Sequence, residues 1–402
     1  MLRLVVVLLL TFGTIEAKEN QAALGYLNSI RQDAGLIKFK PNKKLDKAAK
    51  SHANYLLRQQ KNGHYEKKGW KGYTGKTPSD RVLKAGYASK AVMENVTVNT
   101  KTFHNSIDIL FAAIYHRFVF LNFDKDEIGL GSTLSKKKQR VISSFVYNIG
   151  STAIAKLCKT SSFFMQNGVY YMQNLCKNSS NLIPKDLYEG KKNSVRRKNS
   201  DLVLYPYPDA KNIPPVFYTE NPHPLPGSKV SGYPVSVQFN PAFYKKVKLK
   251  KFRLFDAEGK EIKKSKILTH SNDKHHRFTK LQFALMPLKR LEYGTMYKVE
   301  FEAVADGKRV KKSWEFTTKK PKGTLHKITK KKTTLKVKRG EKIVLYFEPG
   351  SNKDILGRIS VTGKLVTTYL DQNTLLVTMP NKRSSRGYTL KAGKKSVTLI
   401  TY

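Results

Sequence analysis

The stretch GHYEKKGWKGYTGKTPSDR, residues 63–81, sets His64 and Glu66 two positions apart in a chain crowded with lysine. An imidazole titrates near neutral pH and a nearby carboxylate favours its cation, so such a pair could relay protons or help to hold a divalent metal. Side chains at i and i+2 share a face only where the backbone is extended. The competing reading makes His64 one residue of a solvated turn. Farther along, THSNDKHHR clusters His270, His275 and His276. No cysteine or acid spacing there matches a known metal site, and a surface loop is expected. Cys158 and Cys176, eighteen positions apart, are the only cysteines. An even pair in an exported chain usually bridges, the alternative being two buried free thiols. The sequence contains no Walker loop, dinucleotide fingerprint, serine elbow or zinc-protease helix.

Helices must position His64. Residues 21–60 place Leu24, Leu27, Ile30 and Arg31 on one helical face, then Leu45, Ala48, Ala49, His52, Ala53 and Leu56 on another, divided by GLIKFKPN. The spacing puts His52 on the inner face, where core packing explains it. KTPSDRVLKAGY has the chemistry of a helix start: Thr77 as N-cap, Pro78 at the first helical position, Asp80 in the first turn, and Gly86 closing. Ile109, Leu110, Ala113, Ile114 and Phe118 predict a further helix over 106–121. After EIGLGSTL the period changes to two, giving strands in QRVISSFVYNIG and NGVYYMQNLC. Asp80 and Arg117 are read as a structural pair. Asn95 in NVT and Asn178 in NSS fit the glycosylation pattern.

The chain of 402 residues is long enough for two or three domains. Residues 1–17 combine Arg3 with an apolar run from Leu4 to Phe12 and small residues near Ala17, which predicts a signal peptide cleaved near Ala17. The mature protein is then expected to be secreted, periplasmic or at the cell surface, with no transmembrane anchor. Residues 18–185 read as a helix-and-strand domain and 186–203 as a basic linker. Strand-like runs and turn signals over 204–319, including the hairpin dipeptide Asp306-Gly307, indicate an immunoglobulin-like β-sandwich. Residues 320–402 read as a small cationic all-β domain.

Lys and Arg total 76 against 29 Asp and Glu, a formal charge of +47. Such a field favours contact with polyanions over about 10 Å at moderate salt. For an exported protein these are anionic envelope polymers or glycans. No motif supports sequence-specific nucleic-acid recognition. The competing reading gives the lysines to solubility.

The first domain resembles the CAP superfamily, named for cysteine-rich secretory proteins, antigen 5 and pathogenesis-related proteins, and is most similar to its bacterial branch. The likeness runs through LNSIRQDAGL, LDKAAKSHANYL, GHYEKKG, TPSDRVLKAGY, ENV, IYHR and DEIGLG, in that order. It implies an α+β chain: a CAP-type α-β-α sandwich with a central cleft, followed by the two β-domains. It also implies cleft residues, His64 and His116 with Glu94. The family's second acid belongs on the helix before His116, where this chain has Ala113. Glu66 is the candidate for that vacancy. Two imidazoles and a carboxylate suit Zn2+ with one position open. The expected function is that of an exported binding protein rather than an enzyme. The alternative is a metal-assisted peptidase or glycan hydrolase acting through His64, Glu94 and His116, and lipid or sterol binding ranks third.

Overall fold

A computed structural model describes residues 2–402 apart from 161, 162, 164, 364, 383, 385 and 386, with side chains from residue 18 onward. The signal-peptide reading therefore rests on side chains outside the described residues. The backbone there is the start of helix α1 (Leu2–Asp33). Among the described residues no helix is long and apolar enough to cross a membrane.

The first module sets helices α2 (Lys43–Gln59), α3 (Pro78–Lys84), α4 (Phe103–Ala112), α5 (Ile114–Phe120) and α6 (Thr152–Leu157) around one sheet. Its strands are β1 (Lys40–Pro41), β2 (Met93–Val98), β3 (Glu127–Leu134) and β4 (Ser143–Gly150), in spatial order β1-β3-β4-β2. Asn42 caps α2 through the amides of Lys44 and Leu45, and the buried face of Leu45, Ala48, Ala49, Ala53 and Leu56 lies on the sheet. Glycine permits that approach. A Cβ on Gly129 would stand 2.0 Å from the carbonyl carbon of Leu45, and one on Gly131 would stand 2.2 Å from the Lys50 nitrogen. Either glycine mutated to alanine is expected to lower stability by about 3 kcal/mol or more, since overpacking against fixed backbone has no side chain to move. Urea unfolding checks this, and wild-type midpoints would refute it.

Thr77 and Asp80 form a reciprocal capping box at the start of α3, with Pro78 as its first residue. Asp80 is thus engaged at its own helix start. Arg117 lies elsewhere, buried with Nε donating to the Phe111 carbonyl at 2.6 Å, so the two do not pair. The single helix expected over 106–121 is two. Ala113 leaves the helical region with φ −84° and ψ 113°, separating α4 from α5. The stretch expected as a linker is largely helical, as α7 (Lys185–Arg196). Cys158 and Cys176 form a disulfide with their Cα atoms 5.2 Å apart.

Beyond α7, one four-stranded sheet runs Ser265–Thr269, Gln282–Pro287, Val235–Phe239, Leu202–Tyr205 in spatial order. A second runs Val247–Phe255, Met296–Ala305, Lys308–Thr318, Ala210–Ile213. Phe239 and Phe283 from the first meet Phe301 of the second with ring centroids 6.0 Å apart in each pair. Asp306 and Gly307, both left-handed, turn the hairpin between Met296–Ala305 and Lys308–Thr318. One continuous apolar core extends from Ala23 to Phe316, so the first two modules are packed as one body. The last module has its own core, from Ile328 to Leu399, between two further four-stranded sheets.

Candidate functional site

The site begins on α2, where His52 is fully buried. Its Nδ1 meets Glu66 Oε1 at 2.9 Å and its Nε2 meets the Gly63 carbonyl at 3.0 Å, so the ring ties the loop carrying His64 to the helix. His52 is therefore more than apolar filling. Glu66 is buried and faces the same ring; its Oε2 also accepts the amides of Thr74 at 2.5 Å and Gly75 at 3.3 Å. Burial pushes the Glu66 carboxyl up. The bonds from His52 and Thr74 and the charge of Arg81 outweigh that and hold it below the ordinary carboxylate range. Glu66 thus clamps the loop at residues 63–75 and does not fill the vacancy beside His116.

Arg81 on α3 is the centre of this arrangement. Its Nη2 donates to Glu94 Oε1 at 2.8 Å and Oε2 at 2.7 Å, its Nη1 donates to the His64 carbonyl at 2.9 Å, and its Nε lies 3.8 Å from Glu66 Oε1. Glu94, on β2, also accepts from His64 Nδ1 at 3.0 Å. Burial raises the Glu94 carboxyl, but the His64 hydrogen bond and the charges of Arg81 and His52 leave it lowered. Composition hides Arg81 among the other cations. The available signal was its place beside buried Val82 on the inner face of a short, well-capped helix.

Across the site, the His116 ring on α5 faces His64 with centroids 6.4 Å apart and planes 23° apart. Asn95 of β2 donates its amide to the His116 carbonyl at 2.9 Å, so this side chain, which fits the glycosylation pattern, is buried and occupied. The acid beside His116 is Glu220, which belongs to the following β-rich module. Its Oε2 meets His116 Nδ1 at 3.0 Å and accepts the Tyr115 amide, in the first turn of α5, at 3.0 Å. A carboxylate at that end of α5 is favoured by the unpaired amides there.

The loop holding His270, His275 and His276 closes over α5. Tyr115 donates its hydroxyl to Asp273 at 2.6 Å, and Asp273 accepts the amides of His275, Arg277 and Phe278. His270 and His275 each engage a backbone carbonyl, of Phe278 and His223. The loop is therefore a docking element, and those two rings are occupied separately.

Both site carboxylates are engaged at the Nδ1 side of an imidazole. That leaves the two Nε2 atoms of His64 and His116 as the donors a metal could use. Among the described residues no group of three or more His, Cys, Asp or Glu side chains is arranged to hold a metal. Two imidazole nitrogens suit a loosely held divalent ion, with solvent or a ligand completing its shell. They are one protein ligand short of a catalytic zinc centre.

Residues 24–147 match the CAP: Cysteine-rich secretory protein family. Among solved structures, an outer surface protein from Borrelia burgdorferi is 19% identical over 33% of this chain and 92% of its own, with a TM-score of 0.29. An extracellular protein containing an SCP domain from Bacillus anthracis is 16% identical over 34% of this chain and 41% of its own, also at 0.29. No curated protein matches the chain. Residues 24–147 are thus the CAP domain of this chain, and β-rich modules follow it.

Proposed function

We propose that this is an exported binding protein whose CAP domain is held to anionic envelope polymers or extracellular glycans by an immunoglobulin-like sandwich over 204–319 and a small cationic module over 320–402. The carrying observation is the edge strand Lys332–Val337. Lys332 and Lys336 on it are exposed, as are the flanking Lys330, Lys331, Lys338 and Arg339. Lysine on an edge strand also discourages strand addition, a task that one or two would perform. The strand carries two and four more cations flank it; these six, in a segment with 18 Lys and Arg against four acids from Pro321 to Tyr402, make a surface for a polyanion. Co-sedimentation with purified cell envelope is expected at about 50 mM salt and is lost near 0.5 M, where the Debye length has fallen from about 14 Å to about 4 Å. Binding indifferent to salt, or none at low salt, would sink the anchoring role.

Within the CAP domain, the ligand site is the space between His64 and His116, which takes a divalent metal, Zn2+ in the first instance, through their Nε2 atoms. Glu94 and Glu220 orient the rings, as carboxylates behind metal-bound histidines do. Bound there, the metal would supply an electrophilic anchor for an oxygen ligand. A hydrolase has less support, because each carboxylate that could act as a base is committed to an imidazole. Calorimetry with zinc on the wild type and on His64→Ala/His116→Ala tests the site. Equal affinity in the two proteins rules it out.

A further inference from the structure

We propose that the site is assembled from two modules, with Glu220 of the β-rich module as the positioning residue that replaces the acid missing from the CAP domain. The two halves share one contact, an imidazole Nδ1 against a buried carboxylate. His64 turns Nδ1 to Glu94 at 3.0 Å and His116 turns Nδ1 to Glu220 at 3.0 Å, and both carboxylate side chains are 1% exposed. A carboxylate at Nδ1 keeps the proton of the neutral ring on that nitrogen, so each Nε2 presents a lone pair. Asn95, on the strand that carries Glu94, fixes the backbone of His116, while Glu220 fixes its ring from the other module.

The surroundings of Glu220 favour a site over a simple seal between modules. Its Oε1 is buried with no hydrogen-bond partner. Its charge also faces that of the buried Arg117 guanidinium, yet Oε1 makes no hydrogen bond to it, and a simple seal would have no use for a carboxylate oxygen left unpaired. The docking itself is already provided. Phe111 stacks on Tyr205 at 4.9 Å, Phe118 meets Phe278 at 5.0 Å, and the Arg117 guanidinium lies over the rings of both Tyr205 and Tyr233 at 4.8 and 4.9 Å. Glu220 adds to this interface an anion aimed at one imidazole. The β-rich module is then part of the recognition site as well as part of the anchor.

The proposal rests on reading the two histidines as a ligand site. Its test, however, reports ring geometry whether or not zinc binds, so the two fail separately. Nitrogen-15 ring correlation spectra of the full-length chain, recorded where the imidazoles are neutral, distinguish a proton on Nδ1 from one on Nε2. The wild type is expected to carry it on Nδ1 at both His64 and His116. In Glu220→Ala, His116 alone loses that signature, moving to the mixture seen for a free imidazole, and His64 keeps it. Glu220→Gln preserves volume and one acceptor oxygen, and is expected to weaken the His116 signature without abolishing it. Tyr115→Phe, which removes a docking hydrogen bond and leaves Glu220 in place, is expected to leave both rings unchanged. If the alanine variant does not fold, the glutamine variant decides. An unaltered His116 in either Glu220 variant, or a His64 that moves with it, overturns the assignment.

Discussion

Replacing Arg81 with methionine is expected to cost about 3–5 kcal/mol of stability, the range for removing one partner of a buried ion pair. The side chain is wholly buried, and its guanidinium serves Glu94, Glu66 and the His64 carbonyl together. Methionine fills the volume but leaves two carboxylates in the interior short of a cation. Arg81→Lys recovers only part of the loss, because an ammonium cannot span both oxygens of Glu94 and the loop carbonyl at once. The pH dependence has a definite sign. Glu66 and Glu94 are held below the ordinary carboxylate range, so their contribution is present above that range and is lost as pH falls from it through their lowered values. The gap between wild type and Arg81→Met is therefore expected to narrow on acidification, when the stranded carboxylates can be protonated. Adding Glu94→Gln to Arg81→Met should restore part of the neutral-pH loss, because the stranded charge is gone. Urea unfolding of the four proteins from neutral to acidic pH measures these gaps. Equal stability of wild type and Arg81→Met at neutral pH would contradict the argument.

What could be read from the sequence follows the range of each interaction. The start of α3 was legible because Thr77, Pro78 and Asp80 act within one turn. The faces of α2 and the Asp306-Gly307 hairpin were legible for the same reason. The break at Ala113 was not, because apolar spacing continues through it and the amide of Tyr115 finds its acceptor 105 positions away. Glu66 was read as the candidate for the vacant acid position from its place two residues after His64. Its distance from His64 in sequence is short, but the partner that fixes it is His52, one helix earlier. His64, Glu94 and His116 were visible only through flanking motifs, since nothing in their spacing requires them to meet. Glu220 had no local signal at all: it is one acid in a proline-rich stretch, and only the packing of two modules gives it a partner.

Asp371 presents the same logic at the joint between the second and third modules. Its carboxylate accepts from Arg290 Nη1 at 3.0 Å and Nη2 at 2.7 Å, from the hydroxyls of Tyr218 at 2.7 Å and Tyr293 at 2.5 Å, and from the Asn373 amide at 2.8 Å. Burial raises this carboxyl, yet the bonds and charge of Arg290 and the two tyrosines hold it at about 2. Its ordinary value is about 3.9, so the group contributes on the order of 2–3 kcal/mol above pH 4, and that contribution disappears as pH falls from about 4 to 2. Asp371→Ala removes it at every pH and leaves Arg290 buried without its counter-charge, an expected loss of about 3–5 kcal/mol at pH 7. The third module has a core of its own, so the loss should fall on the joint. The variant is expected to keep the sheet content of the wild type while the segment around Lys319–Lys322 becomes open to limited proteolysis. Asp371→Asn keeps the shape without the charge, and its deficit against wild type should shrink toward pH 2. A deficit that stays constant with pH would place the stabilisation in packing, since only a charged partner for Arg290 can be titrated away.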